Sequence, residues 1–168
     1  MASFGTGLRR NVCLEKAAGA LSAYAGSPSL VNPPVNIESV AEWLGFQVVL
    51  LYTVEDEFSG LVSLPQKLIG VNGKHHRHRR RFTIGHELAH ILLKHPPESR
   101  CSHGEIALYN AEADLCAAEL LIPSTMLRTQ LHMTTNISAL AKAFDVSEEA
   151  MRVKLKTLPG REPPSTHS

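Results

Sequence analysis

Proline punctuation constrains this chain more than any other feature. Pro33-Pro34, Pro96-Pro97 and Pro123 each stop a regular element, because proline donates no backbone hydrogen bond and its ring clashes with the preceding helical turn. Gly26-Ser27-Pro28 and Gly45 add two further breaks. The chain must therefore fold from short pieces, and the period of the apolar residues between the stops assigns each piece. Residues 8 to 25 read as a helix. Asn36 is placed to cap a short helix reaching Leu44. The β-branched and apolar segments Phe46 to Tyr52, Phe58 to Leu64 and Lys67 to Val71 read as three consecutive antiparallel strands.

Residues 72 to 81 form a polar, basic loop. From Phe82 to Lys94 the pattern is helical, with Ile84, Leu88, Ile91 and Leu92 facing inward. After a loop at 98 to 104, a long helix runs from Ile106 to Ile122 with Ala111, Leu115, Ala118 and Ile122 as its inward stripe. Ser124, Asn136 and Ser147 are N-cap candidates for segments 125 to 131, 137 to 144 and 148 to 157, and the polar tail past Gly160 reads as disordered. The expected class is α+β: a small twisted antiparallel sheet packed on the two central helices, followed by a helix-turn-helix-like piece.

With 43% hydrophobic and 20% charged residues in 168, the chain can bury a core. Its formal charge of +1 excludes a molecule that binds nucleic acid or anionic membrane through its overall field. The cysteines, Cys13, Cys101 and Cys116, are odd in number and form no Cys-x-x-Cys pair, so a disulfide framework is not expected and a reducing, cytoplasmic setting is. No apolar run approaches the roughly 20 residues that cross a bilayer. Ala23-Tyr24-Ala25 mimics a signal-peptide cleavage site, but Glu15 and Lys16 interrupt the apolar core that such a signal needs.

Chemistry concentrates in His86-Glu87-Leu88-Ala89-His90, inside the helix beginning near Phe82. Residues four apart share a helix face, so two imidazoles there can bind one zinc ion, while Glu87, one position on, is free to move a proton. A catalytic zinc needs three protein ligands and an open position. Leu93 and the run Lys94-His95-Pro96 do not supply a third histidine at the spacing of the extended motif, which leaves an acid of the second helix: Glu105, Glu112, Asp114 or Glu119. Glu112 and Asp114 flank the expected apolar stripe on opposite sides, so periodicity directs only one of them at a given site and does not say which. Tyr109, His95 and His103 are candidate donors to a developing oxyanion.

The stretches Ile69-Gly70-Val71-Asn72, Arg79-Arg80-Arg81-Phe82-Thr83-Ile84-Gly85-His86-Glu87-Leu88-Ala89-His90 and Glu112-Ala113-Asp114-Leu115-Cys116-Ala117-Ala118-Glu119-Leu120-Leu121-Ile122-Pro123 together resemble the ImmA/IrrE metallopeptidases. The resemblance implies Glu112 as the third metal ligand beside His86 and His90, Glu87 as base and acid, and zinc, or manganese, as the metal. It further implies site-specific cleavage of a helix-turn-helix repressor encoded nearby, which derepresses stress or mobile-element genes. Gly85, Asp114, Cys116 and Asn110 depart from the family's usual residues, and none of these changes removes a ligand or the base. On this reading the chain divides into an N-terminal helical segment (1–30), a zinc metallopeptidase domain (31–125), a C-terminal helical region (126–160) and a tail (161–168).

Three features have a simpler account. The run His75-His76-Arg77-His78-Arg79-Arg80-Arg81 is read as a solvated turn with one or two arginines pairing at the helix start, ahead of docking an acidic partner or forming a second metal site. Residues 137 to 157 resemble a helix-turn-helix, but Glu148 and Glu149 would face phosphates, so a structural or partner-docking role is preferred to DNA contact through Arg152, Lys154 and Lys156. Phe58 to Leu64 is either a plain core strand or the edge along which a substrate lies extended. The competing functions are a non-proteolytic metal-binding regulatory module and a DNA-binding regulator acting through residues 137–157.

Overall fold

A computed structural model describes residues 7–26, 32–158 and 160. The expected disordered tail, 161–168, lies outside the described residues. Helix α1 (Arg10–Ala25) ends where Gly26 takes the left-handed conformation, and α2 (Ile37–Trp43) starts at Asn36, whose side chain accepts the Ser39 N–H as expected of a cap. Strands β1 (Gln47–Leu51), β2 (Gly60–Ser63) and β3 (Leu68–Asn72) follow, then α3 (Arg77–Leu92), α4 (His103–Leu121), α5 (Ser124–Leu131), α6 (Ile137–Phe144) and α7 (Glu148–Thr157). The class is α+β, as the sequence implied. Among the described residues no helix is long and apolar enough to cross a membrane.

The sheet itself corrects the expectation of an antiparallel meander. Its order is β1-β3-β2, with β3 antiparallel to β2 but parallel to β1. The buried Asn72 explains the crossing: its Nδ2 donates to the carbonyls of Glu55 and Phe58, fixing the loop that carries the chain from β1 past β3 to the far side. The turn after β2, with Lys67 at a positive φ, then returns β3 between the two. β3 is hydrogen-bonded along both edges, and Ile69 and Val71, on one of its faces, are inaccessible, while β2 is left as an edge.

The basic segment is also corrected, because α3 begins at Arg77 rather than near Phe82. Asp145, in the turn between α6 and α7, collects Arg77, His78 and Arg81, and Arg81, only 2% exposed, donates to the carbonyls of Val35 and Asp145. The arginines are therefore the first turns of the helix, held by tertiary pairing. The buried stripe of α4 lies one position from the expected one, with Glu112, Ala113, Cys116, Ala117, Glu119 and Leu120 inside. Two glutamates on that face disguise it as the polar side. Ser124 does not cap α5 with its side chain; its N–H and hydroxyl both donate to the Glu119 carboxylate. One apolar core runs from Cys13 and Leu21 of α1 through Ile84, Leu88 and Leu120 to Phe144 and Met151.

Candidate metal and active site

Helices α3 and α4 lie side by side closely enough that a Cβ on Gly85 would sit 3.3 Å from the Ala117 Cβ. This approach places the histidine face of α3 against the acidic face of α4. His86 and His90 bring their Nε2 atoms to 3.0 Å of each other. On the outer side, His86 Nδ1 lies 2.8 Å from the Asp114 carboxylate. On the inner side, His90 Nδ1 lies 2.9 Å from His95 Nδ1, and His95 Nε2 lies 2.9 Å from Glu112 Oε2. The His95 ring also stacks on Tyr109 at 4.5 Å.

The two carboxylates dictate the protons in this chain. An ionised carboxylate only accepts, so His95 donates from Nε2 and, when neutral, accepts at Nδ1 from the Nδ1–H of His90. His86 likewise donates from Nδ1 to Asp114. The two Nε2 atoms face each other across 3.0 Å, and the proton that His86 takes up when charged lies between them, donated to the His90 lone pair. Each imidazole is oriented from behind, as metal-binding histidines are, so the pair could hold a cation that displaces the proton between them. Burial holds His90 down at about 4, so it stays neutral at physiological pH. Burial also opposes the charge on His86, but the Asp114 hydrogen bond and its charge outweigh it and raise the pKa.

Glu112 stands elsewhere than beside the histidine pair. Its side chain is completely buried, and its Oε1 accepts from the Arg9 backbone N–H (3.0 Å) and the Arg9 Nε (2.9 Å). Oε2 accepts from an Arg9 terminal nitrogen (2.6 Å) and from His95. The Arg9 hydrogen bonds are the main reason its pKa falls to about 2. Among the described residues no three His, Cys, Asp or Glu side chains close on one point. The donor set thus fits a metal at the histidine pair, while the third candidate ligand is engaged by the N-terminal segment. Sequence periodicity directed only one of Glu112 and Asp114 at the site; the structure brings both to the same histidine chain, at its opposite ends.

Glu87 shares with His86 and His90 the floor of a cleft of about 880 Å³ whose walls include β2, the Lys94–Pro97 turn, Tyr109 and Asn110. Burial raises the Glu87 pKa, which suits a carboxylate that takes and returns protons. Gly60, at the start of β2, abuts it: a Cβ there would clash with the Thr83 methyl, lie 2.9 Å from the Gly70 carbonyl and 3.6 Å from Glu87 Oε1. Of the oxyanion candidates, Tyr109 lines the cleft, His95 has both nitrogens engaged inside the chain of histidines, and His103 opens α4 outside the cleft lining. Arg9, which sequence reasoning passed over, carried no usable signal, since nothing local links position 9 to position 112. The Ser102–Glu105 capping box that extends α4 to His103 was readable as Ser-x-x-Glu.

Residues 43–156 match the sequence profile of the IrrE N-terminal-like domain, peptidase family M78. No curated protein matches the chain. Among solved structures, a "Mycobacterium tuberculosis transcriptional regulator" aligns with a TM-score of 0.67 and 18% identity, over 95% of this chain and 51% of that one. This chain therefore spans about half the length of that regulator, and at such identity the likeness is one of fold.

Proposed function

The chain belongs to the IrrE N-terminal-like peptidase family, and from that membership we propose that it is a zinc-dependent endopeptidase. His86, His90 and Glu112 are the ligands in this reading, with manganese as an alternative metal. The bound ion would supply Lewis-acid activation of water and of the scissile carbonyl. Glu87 takes the proton of the attacking water and delivers it to the departing amide nitrogen, a role its raised pKa suits. The unpaired edge of β2 lets an extended peptide add as a further strand, and residues 60–65 line the cleft beside Glu87. Tyr109 is the cleft-lining candidate for stabilising an oxyanion.

The observation that carries the reading is the pair of Nε2 atoms held 3.0 Å apart by two carboxylate-anchored chains, with the half-buried Glu87 beside them in the cleft. The substrate in this proposal is a helix-turn-helix repressor encoded beside the chain, its cleavage derepressing stress or mobile-element genes. A cytoplasmic location belongs to the same reading, supported by three free cysteines. Incubating the purified chain with that neighbouring repressor, with and without chelator, tests it: chelator-sensitive cleavage is expected, and Glu87→Gln should keep zinc per chain at the wild-type level while losing cleavage. Wild-type cleavage by Glu87→Gln would remove Glu87 from the chemistry.

A second reading, a non-proteolytic regulatory module, is favoured by the engagement of Glu112 with Arg9, and it predicts a stoichiometric complex without cleavage. A DNA-binding role for residues 137–157 loses support, because Lys154 is buried against Glu119 and Arg152 pairs with Glu148.

A further inference from the structure

The carboxylate of Glu112 has four lone-pair positions, and all four are filled: two by the Arg9 backbone N–H and Nε at Oε1, two by an Arg9 terminal nitrogen and His95 at Oε2. No acceptor site is left for a cation. We propose that Arg9 is a latch that competes with the metal for Glu112, so that the segment leading into α1 sets how readily the centre loads. This inference rests on the assignment of Glu112 as third ligand made above.

Three features make the latch a device of this chain rather than part of the peptidase core. Arg9 lies outside residues 43–156, so its contact is added to the family domain from without. Its side chain is 44% exposed while Glu112 is fully buried, so the guanidinium can leave into water and the carboxylate cannot. The competition is also like for like, because the guanidinium is the positive charge that offsets a buried carboxylate in the metal's absence. The geometry further separates two roles for Glu112. While latched, it anchors His95 and through it the His90 tautomer. Once released from Arg9, it is free to turn toward the pair of Nε2 atoms.

Zinc affinity, measured by competition with a chromophoric chelator, tests the proposal without any substrate. Arg9→Ala removes two of the three Arg9 donors and should bind zinc roughly ten-fold more tightly or better than the wild type, each tenfold corresponding to about 1.4 kcal/mol. Arg9→Lys, which keeps charge without the fork, should fall between. In the wild type, adding zinc should speed hydrogen exchange at the amides of residues 9–12, because the Arg9 N–H loses its acceptor. That measurement stands even where Arg9→Ala folds poorly. Equal affinities of wild type and Arg9→Ala, both abolished by His90→Ala, would overturn the latch alone. Absence of His90-dependent zinc binding in either protein would overturn both the latch and the ligand assignment, and exchange at residues 9–12 that slows with zinc would overturn the latch.

Discussion

Glu112 shows how much one side chain depends on what the fold puts around it. A glutamate with no exposed surface is costly unless charge and hydrogen bonds compensate it, and Arg9 and His95 do so here. The same compensation links stability to pH. The carboxyl is depressed from 4.5 to about 2 in the folded chain, so its contribution is fully present above the unfolded value and is lost as pH falls through the window from about 4.5 to 2. Allowing for solvent screening of the half-exposed Arg9, that contribution is about 2 kcal/mol. In chelator, Glu112→Gln should be less stable than wild type by about this amount at pH 7, and urea unfolding at descending pH should show the gap closing toward pH 2. A gap that stays constant with pH would mean that Glu112 is not held as an ion.

At the scale of elements, the chain's breakers and caps were legible and its long-range pairings were not. Asn36, Asn136 and Ser147 cap the helices that their positions suggested, because a cap is a contact between residues three apart. The His86–His90 face of α3 was legible for the same local reason. The order of the sheet was not, since it turns on Asn72 reaching back to Glu55 and Phe58. The buried stripe of α4 was misplaced because Glu112 and Glu119 are internal only by virtue of partners far away in sequence. Lys154 of α7 is such a partner: 3% exposed, it pairs with Glu119, whose carboxylate also accepts from Ser124, so α4, α5 and α7 meet on one buried carboxylate. Burial lowers the Lys154 pKa, against the opposing pull of Glu119. Lys154→Met leaves that buried carboxylate without its ammonium partner and should destabilise the chain by about 3 kcal/mol in urea unfolding. Adding Glu119→Gln should recover most of the loss, and a double variant no better than the single would show that packing rather than charge is at stake.

At the scale of the whole molecule, the question is whether the N-terminal helices fold with the domain that the family profile covers or beside it. The family profile begins at residue 43, yet Cys13, Ala17 and Leu21 of α1, and Ile37, Val40 and Ala41 of α2, lie in the same buried cluster as Leu88 and Leu120. A helix of 16 residues with no acidic residue in its first turn and no basic one in its last has little reason to persist alone, so α1 owes its order to that packing. The single tryptophan gives a local probe, because Trp43 at the end of α2 meets the Tyr24 ring edge-on with centroids 6.1 Å apart. If one core holds the chain together, Trp43 fluorescence and far-ultraviolet circular dichroism should trace the same urea transition, as a two-state domain requires. Leu21→Ala, which deletes a side chain 4% exposed, should shift both curves together by about 2 to 4 kcal/mol. A fluorescence change that precedes the loss of helix would make α1 and α2 a separately melting cover over α4, and the Arg9 contact with Glu112 would then break before the family domain unfolds.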